Sequence, residues 1–261
     1  QFANEIAIDL ENENEKRKAI TMQHENDAQR IINDSINLNK DKIIILYNDD
    51  WHFGVIGIVA SRIKELYNRP TIILTKEEGV YKGSCRSIGG YDIVNALHEC
   101  SDILDNYGGH PMAAGLSIKE ENLDSFCMRM NEYSNKVLNE DLQPIINIDY
   151  ELKLSEINNR FIKFLDYLEP FGPGNAKPIF STTNIKNLSD IELVGKDRNT
   201  LKFVAHNDTT SFNVIGFRMV ENYEKLLSNK AIDITYSIDK NYWNNQYTTQ
   251  LVLKDLVYSN E

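Results

Sequence analysis

Cysteine is scarce in this chain: three residues in 261, Cys85, Cys100 and Cys127, widely spaced and without a Cys-x-x-Cys pair. That excludes a disulfide framework and a cysteine-rich zinc site, and makes reduced thiols the expectation. Long apolar runs are missing as well. No window approaches the roughly 18 uninterrupted apolar residues of a membrane span, and the N-terminus lacks a basic-then-apolar signal pattern. The expected compartment is therefore the cytoplasm, with no membrane partner. Positive charge is in the minority, with 28 Lys and Arg against 39 Asp and Glu, a net charge of −11. A protein that holds nucleic acid chiefly by phosphate neutralisation carries the opposite balance, so any such contact here must be local.

What is present is a globular composition: 41% apolar and 26% charged residues, with 13 tyrosines and 10 phenylalanines. The length accommodates two domains, each with its own core. From Gln1 to about Asn37 there is no proline or glycine, and a narrow apolar stripe runs through Phe2, Ile6 and Leu10 and resumes at Ala28, Ile31 and Ile32. This predicts one long helix over residues 1–38, either a connector or a helix packed along a further segment. Its start in mid-helix at Gln1 points to a fragment. "KIIILY", then "WHFGVIGIVASRIKELY" with apolar residues at helical spacing, then "RPTIILT" predict strand, helix, strand, hence a parallel pair in an α/β sheet. "VYKGSCRSI" adds a strand, "YDIVNALHEC" a helix, and Asn122 to Leu138 another helix. The polar stretch Glu140 to Pro144 marks a boundary, giving domains 39–141 and 142–261. Beyond it, short alternating runs with one helix predict a small β-barrel, an oligonucleotide-binding fold being one candidate and a sandwich another.

Three stretches carry candidate chemistry. In "NYGGHPMAAGLSI", Gly108 and Gly109 let a ligand approach the backbone, and their amides with His110 are the groups of an anion cradle. The competing reading is a tight turn with a structural histidine. In "KGSCRS", Arg86 offers a planar fork and Ser84 and Ser87 offer hydroxyls, and alternation puts Ser84 on the face of Arg86. A solvent-facing arginine is the alternative. In "DDWHFGVIGIVASR", His52 precedes a helix start, with Ser61 and Arg62 further along. Asp49, Asp50 and His52 lack a complementary ligand set, so no metal site is assigned. Downstream, Lys196, Arg198, Lys202, Phe203, Tyr242 and Trp243 mix cations with rings as a single-strand platform does, half of the rings being expected in the core. The proline- and glycine-rich "LEPFGPGNAKPIF" reads as an architectural turn with Phe171 and Phe180 as plugs.

Taken in order, "WHFGVIGIVASRIKE", "KGSCRSIGGYDIVNAL", "YGGHPMAAGLSI", "LEPFGPGNAKPIF" and "NYWNNQYTTQLVLKDL" resemble the RecJ family of single-stranded-DNA-specific exonucleases over nearly the whole chain. The resemblance implies a connecting helix, an α/β DHHA1 domain with a mixed or parallel sheet, and an OB-fold barrel. It also implies a part in 5′-to-3′ degradation of single-stranded DNA during recombination and repair. Ser84, Arg86 and Ser87 match the motif taken as phosphate-binding, and Gly108, Gly109 and His110 match the glycine-histidine signature, His110 contributing to catalysis. His52, Arg62, Lys196, Lys202 and Trp243 are further candidate DNA contacts. Mn²⁺ or Mg²⁺ would sit in a preceding DHH domain, and this chain would hold no cofactor and be inactive alone. The implied partners are single-stranded DNA, that DHH domain and DNA-repair proteins. Phe53 and Pro111 depart from the family's usual proline and alanine, and Pro111 removes an amide from the cradle. A non-catalytic single-strand binder and a phosphodiesterase for small nucleotides are the alternatives.

Overall fold

The computed structural model describes residues 2–138, 142, 145–195, 197–228, 230–243 and 246–259, with backbone alone at 242, 243 and 246. The chain divides into two compact units, Gln1–Pro144 and Ile145–Glu261. The boundary expected over Glu140 to Pro144 falls, apart from Leu142, outside the described residues. No helix among the described residues is long and apolar enough to cross a membrane.

The first unit begins with α1 (Phe2–Ser35), whose buried residues are Thr21, His24, Ala28 and Ile32. Its first half leaves Phe2, Ile6 and Leu10 exposed, so the apolar stripe is covered only where it resumes. Then follow β1 (Ile44–Tyr47), α2 (Phe53–Tyr67), β2 (Thr71–Glu77), β3 (Val80–Arg86), α3 (Ile93–His98), β4 (Leu104–His110), β5 (Ala113–Ile118) and α4 (Leu123–Val137). Helix α2 starts where the His52 side chain accepts from Gly54 N and stops at Asn68, which has a φ of 47°. Strands β1 and β2 are parallel, as strand-helix-strand order requires, and the remaining pairs are antiparallel in the order β1-β2-β3-β5-β4.

The two faces of this sheet are covered differently. One packs Ile72, Leu74, Tyr81, Cys85 and Leu116 with Phe126 and Met130 of α4. The other packs Ile44, Leu46 and Ile73 with Ala28 and Ile32 of α1 and Val59 and Ile63 of α2. On this second face the apolar positions stop at β2: rows that begin Ile44–Thr71 and Leu46–Ile73 continue across the sheet as Arg86–Ala113–His110 and Ser84–Gly115–Gly108.

The second unit contains β6 (Tyr150–Glu151), α5 (Asn159–Asp166), β7 (Phe180–Ile185), β8 (Asn187–Val194), β9 (Thr200–His206), β10 (Ser211–Phe217), α6 (Tyr223–Leu227), β11 (Ile232–Trp243) and β12 (Gln246–Tyr258). Its described strands form one mixed sheet in the order β6-β7-β11-β12-β10-β9-β8 around a core that includes Phe180, Phe203, Val214, Tyr236 and Leu251. The order is open: among the described residues no pairing joins β6 to β8, so the closed barrel expected from the short strands is not formed by these pairings. Strand count and alternation specify a sheet with one buried face, and barrel closure further requires a consistent stagger that they do not encode. Phe180 is buried as a plug, while Phe171 lines the cleft beside α5.

Candidate phosphate-binding site

Strand alternation places Ser84 and Arg86 on one face of β3, and the side chains meet: Arg86 Nη1 donates to Ser84 Oγ at 3.1 Å. The same nitrogen donates to Cys85 O at 2.8 Å, and Nε donates to Ser61 Oγ at 3.0 Å. Ser61 belongs to α2, so the guanidinium is tied to a strand and to a helix at once. Among the described residues no carboxylate pairs with Arg86, in a protein where acidic side chains outnumber basic ones. Ser87 behaves differently. It is buried and its hydroxyl donates to Tyr91 O at 2.5 Å, so its one proton is committed to a loop carbonyl and is not available to a phosphate.

Pairing brings His110 into the row of Arg86. Arg86 faces Ala113 on β5, and Ala113 faces His110 on β4, so the guanidinium and the imidazole share a sheet face two strand spacings, about 10 Å, apart. The connecting turn is pinned by Ser87 N donating to Met112 O at 3.0 Å and Ile93 N donating to Pro111 O at 3.1 Å. Pro111 therefore serves through its carbonyl, which proline retains. His110 is exposed, and between it and Arg86 lie only small residues: Ala113, with Gly115 and Gly108 in the neighbouring row. The result is a polar shelf with a flat floor, bounded by α2 on the β3 side.

The glycines take roles that differ from a cradle. Gly108 and Gly109 lie inside β4, an edge strand, where successive N–H groups point in opposite directions and cannot converge on one anion. Neither the consecutive-amide cradle nor the tight turn expected from the triplet is formed. Gly109 has a φ of 151°, and a Cβ there would stand 2.4 Å from Ala113 O, so only glycine fits. Gly108 has open space where a Cβ would be, which makes it floor rather than hinge.

The other candidates sort out plainly. His52 caps α2 through Nδ1 and donates its backbone N–H to His24 Nε2 at 2.9 Å. Arg62 is paired with Glu25 of α1 at 2.5 Å and Lys202 with Glu192 at 2.7 Å, so both charges are met within the chain. Lys196 lies outside the described residues, as does the side chain of Trp243 at the end of β11. Residues that sequence reasoning did not assign to the site are Gly57, Gly115 and, as the partner of Arg86, Ser61. The signal for Ser61 was its place one turn after Gly57 on the predicted helix, but only the packing of α2 on β3 aims it at Arg86.

No group of three or more His, Cys, Asp or Glu among the described residues is placed to hold a metal ion. Asp49 instead accepts a hydrogen bond from Tyr81, whose hydroxyl it holds above the ordinary phenol range. Burial pushes the Cys85 thiol up to about 12 and those of Cys100 and Cys127 up to about 11, so none is a nucleophile at neutral pH.

The DHHA1 domain family matches residues 40–136 and the RecJ OB domain family residues 148–255. The chain is 32% identical over 260 residues to the single-stranded-DNA-specific exonuclease RecJ of Bacillus subtilis, covering 98% of this chain and 33% of that protein. It is 33% identical to the RecJ of Haemophilus influenzae, covering 96% of this chain and 45% of that one. It thus spans a third to under a half of the length of these relatives. Among solved structures, Thermus thermophilus RecJ in complex with Mn²⁺ superposes with a TM-score of 0.74 over 97% of this chain and 36% of that one, at 24% identity, which speaks to the fold. Through its DHHA1 and RecJ OB domains, the chain belongs to the RecJ family.

Proposed function

We propose that the chain is the substrate-holding part of a 5′-to-3′ single-stranded-DNA exonuclease, acting in recombination and repair. Residues 1–38 serve as a connecting helix, 39–141 as the DHHA1 domain and 142–261 as the OB-fold domain. The observation that carries the reading is the shelf itself: Arg86, without a carboxylate partner among the described residues, shares a row with His110 across a floor of alanine and glycine. A phosphodiester backbone laid on that floor meets a planar donor at one side and an imidazole at the other. Ser84 steadies Arg86, while Gly108, Gly109 and His110 form the far edge.

Among the described residues none are grouped to fit Mn²⁺ or Mg²⁺, which take sets of hard oxygen ligands, and no step is routed through a metal here. In this reading Mn²⁺ or Mg²⁺ would be held by a DHH domain outside these residues and would supply the hydrolytic chemistry there, while the shelf neutralises charge on the phosphate. The RecJ OB domain contributes contacts to the rest of the strand.

The test is binding of a labelled oligonucleotide carrying a 5′-phosphate against its 5′-hydroxyl counterpart. The expected result is tighter binding of the phosphate form, lost by a factor of roughly ten or more in Arg86→Ala and by less in His110→Ala, at unchanged melting temperature. Equal binding of both forms by the wild-type chain overturns the shelf as a phosphate site.

A further inference from the structure

Arg86 can act as a ligand for one phosphate oxygen only if its guanidinium is held in a single orientation, because its flexible stem otherwise samples many rotamers. Two fixed points do this, and the one on the helix depends on hydrogen-bond polarity. Ser61 Oγ donates its only proton to Gly57 O at 3.0 Å, the bond a helical serine makes to the carbonyl one turn back. The oxygen then faces Arg86 purely as an acceptor, and Arg86 Nε donates to it at 3.0 Å. Nη1 is fixed separately by Cys85 O and Ser84 Oγ on β3. Three of the five guanidinium N–H groups are thereby used, and the two on Nη2 have no partner among the described residues.

Gly57 completes the arrangement by leaving space. A Cβ at position 57 would stand 3.1 Å from Nη2 and 3.0 Å from Ser84 Oγ, tighter than ordinary contact. The fold of α2 itself does not ask for glycine here, since glycine in a helix interior is less stable than alanine.

We infer that Ser61 and Gly57 of α2 are positioning residues that hold the Arg86 guanidinium with Nη2 presented to a phosphate oxygen. This rests on the phosphate reading of the shelf and goes further by making α2 a part of the binding device. A serine that merely bonds back along its own helix would have no such effect on ligand preference.

The experiment compares wild type, Ser61→Ala, Ser61→Thr, Gly57→Ala and Arg86→Ala for the ratio of 5′-phosphorylated to 5′-hydroxyl oligonucleotide binding, alongside thermal melting. Ser61→Ala is expected to lower the ratio roughly fivefold to tenfold, and Ser61→Thr, which keeps the hydroxyl, to restore most of it. Gly57→Ala, the better helix former, should lower the ratio by crowding Nη2 and Ser84 Oγ. In an Arg86→Ala background, Ser61→Ala should change nothing further. If Arg86→Ala abolishes the preference while Ser61→Ala and Gly57→Ala leave it at the wild-type value, the positioning role is overturned and the phosphate reading stands. If wild type shows no preference, or Arg86→Ala keeps it, the phosphate reading fails and the inference with it. A ligand-free measurement, solvent exchange of the Arg86 Nε–H by NMR, should quicken in Ser61→Ala; an unchanged rate overturns the inference independently of binding.

Discussion

Adjacent glycines can have unrelated reasons to be glycine, and Gly108 and Gly109 are such a pair. Gly109 sits at a φ of 151° with backbone of Ala113 and Ala114 where its Cβ would be. Gly109→Ala should therefore cost on the order of 2–4 kcal/mol in denaturant unfolding. Gly108→Ala meets nothing within contact distance and should stay within about 0.5 kcal/mol of wild type, while weakening phosphate-dependent binding if the floor must be clear. A Gly108→Ala chain that is as destabilised as Gly109→Ala would contradict this division. The triplet Gly-Gly-His was legible in the sequence as a place of special backbone. Which glycine is bound by φ and which by open space was not, because both depend on how β4 pairs with β5.

Between elements, the long helix α1 is joined to α2 at two adjacent residues. His24 Nε2 accepts from His52 N, and Glu25 pairs with Arg62, both partners largely buried. Since α2 also carries Ser61, the mount of α1 and the mount of Arg86 are supplied by neighbouring residues, Arg62 and Ser61, of one helix. Burial holds the His24 imidazole below the ordinary 6.5, Asp27 drawing it back up and His52 pressing it down. The neutral ring is the form that the His52 amide needs. Between the lowered folded value and 6.5 the unfolded chain binds the extra proton, so this stability is present above pH 6.5 and is lost as pH falls below it toward the folded value. Wild type should thus lose denaturant midpoint between pH 7 and about 5.5, and His24→Gln should show a shallower loss over the same window. Equal pH slopes in the two chains would exclude His24 as the source.

At the scale of the whole molecule, the net charge is −11, and two of the basic residues expected at DNA, Arg62 and Lys202, are paired with carboxylates of the chain. If the shelf supplies the phosphate contacts, binding of single strands should follow a log–log salt slope of about −1 to −2, since each neutralised phosphate contributes roughly −0.7. A slope several times steeper would mean a broad electrostatic surface that the shelf does not explain. The thiols allow a second check on the fold. With Cys85 raised to about 12 and Cys100 and Cys127 to about 11, none should react with a disulfide reagent at pH 8 in the native chain, and all three should do so in denaturant.

Periodicity and order of elements by themselves determined the long first helix, the parallel β1–β2 pair and the succession of an α/β unit and a β-rich unit, because these depend on neighbours in sequence. Alternation likewise determined that Ser84 and Arg86 share a face. The tertiary structure decided what depends on register between distant strands: His110 in the row of Arg86, Gly115 in the floor, Ser87 turned inward to Tyr91, and the order of the described strands of the second unit. It also decided the partners of Arg62 and Lys202 and the hold of Ser61 on Arg86, since a charge or hydroxyl has no role until packing sets what lies within 3 Å or so of it.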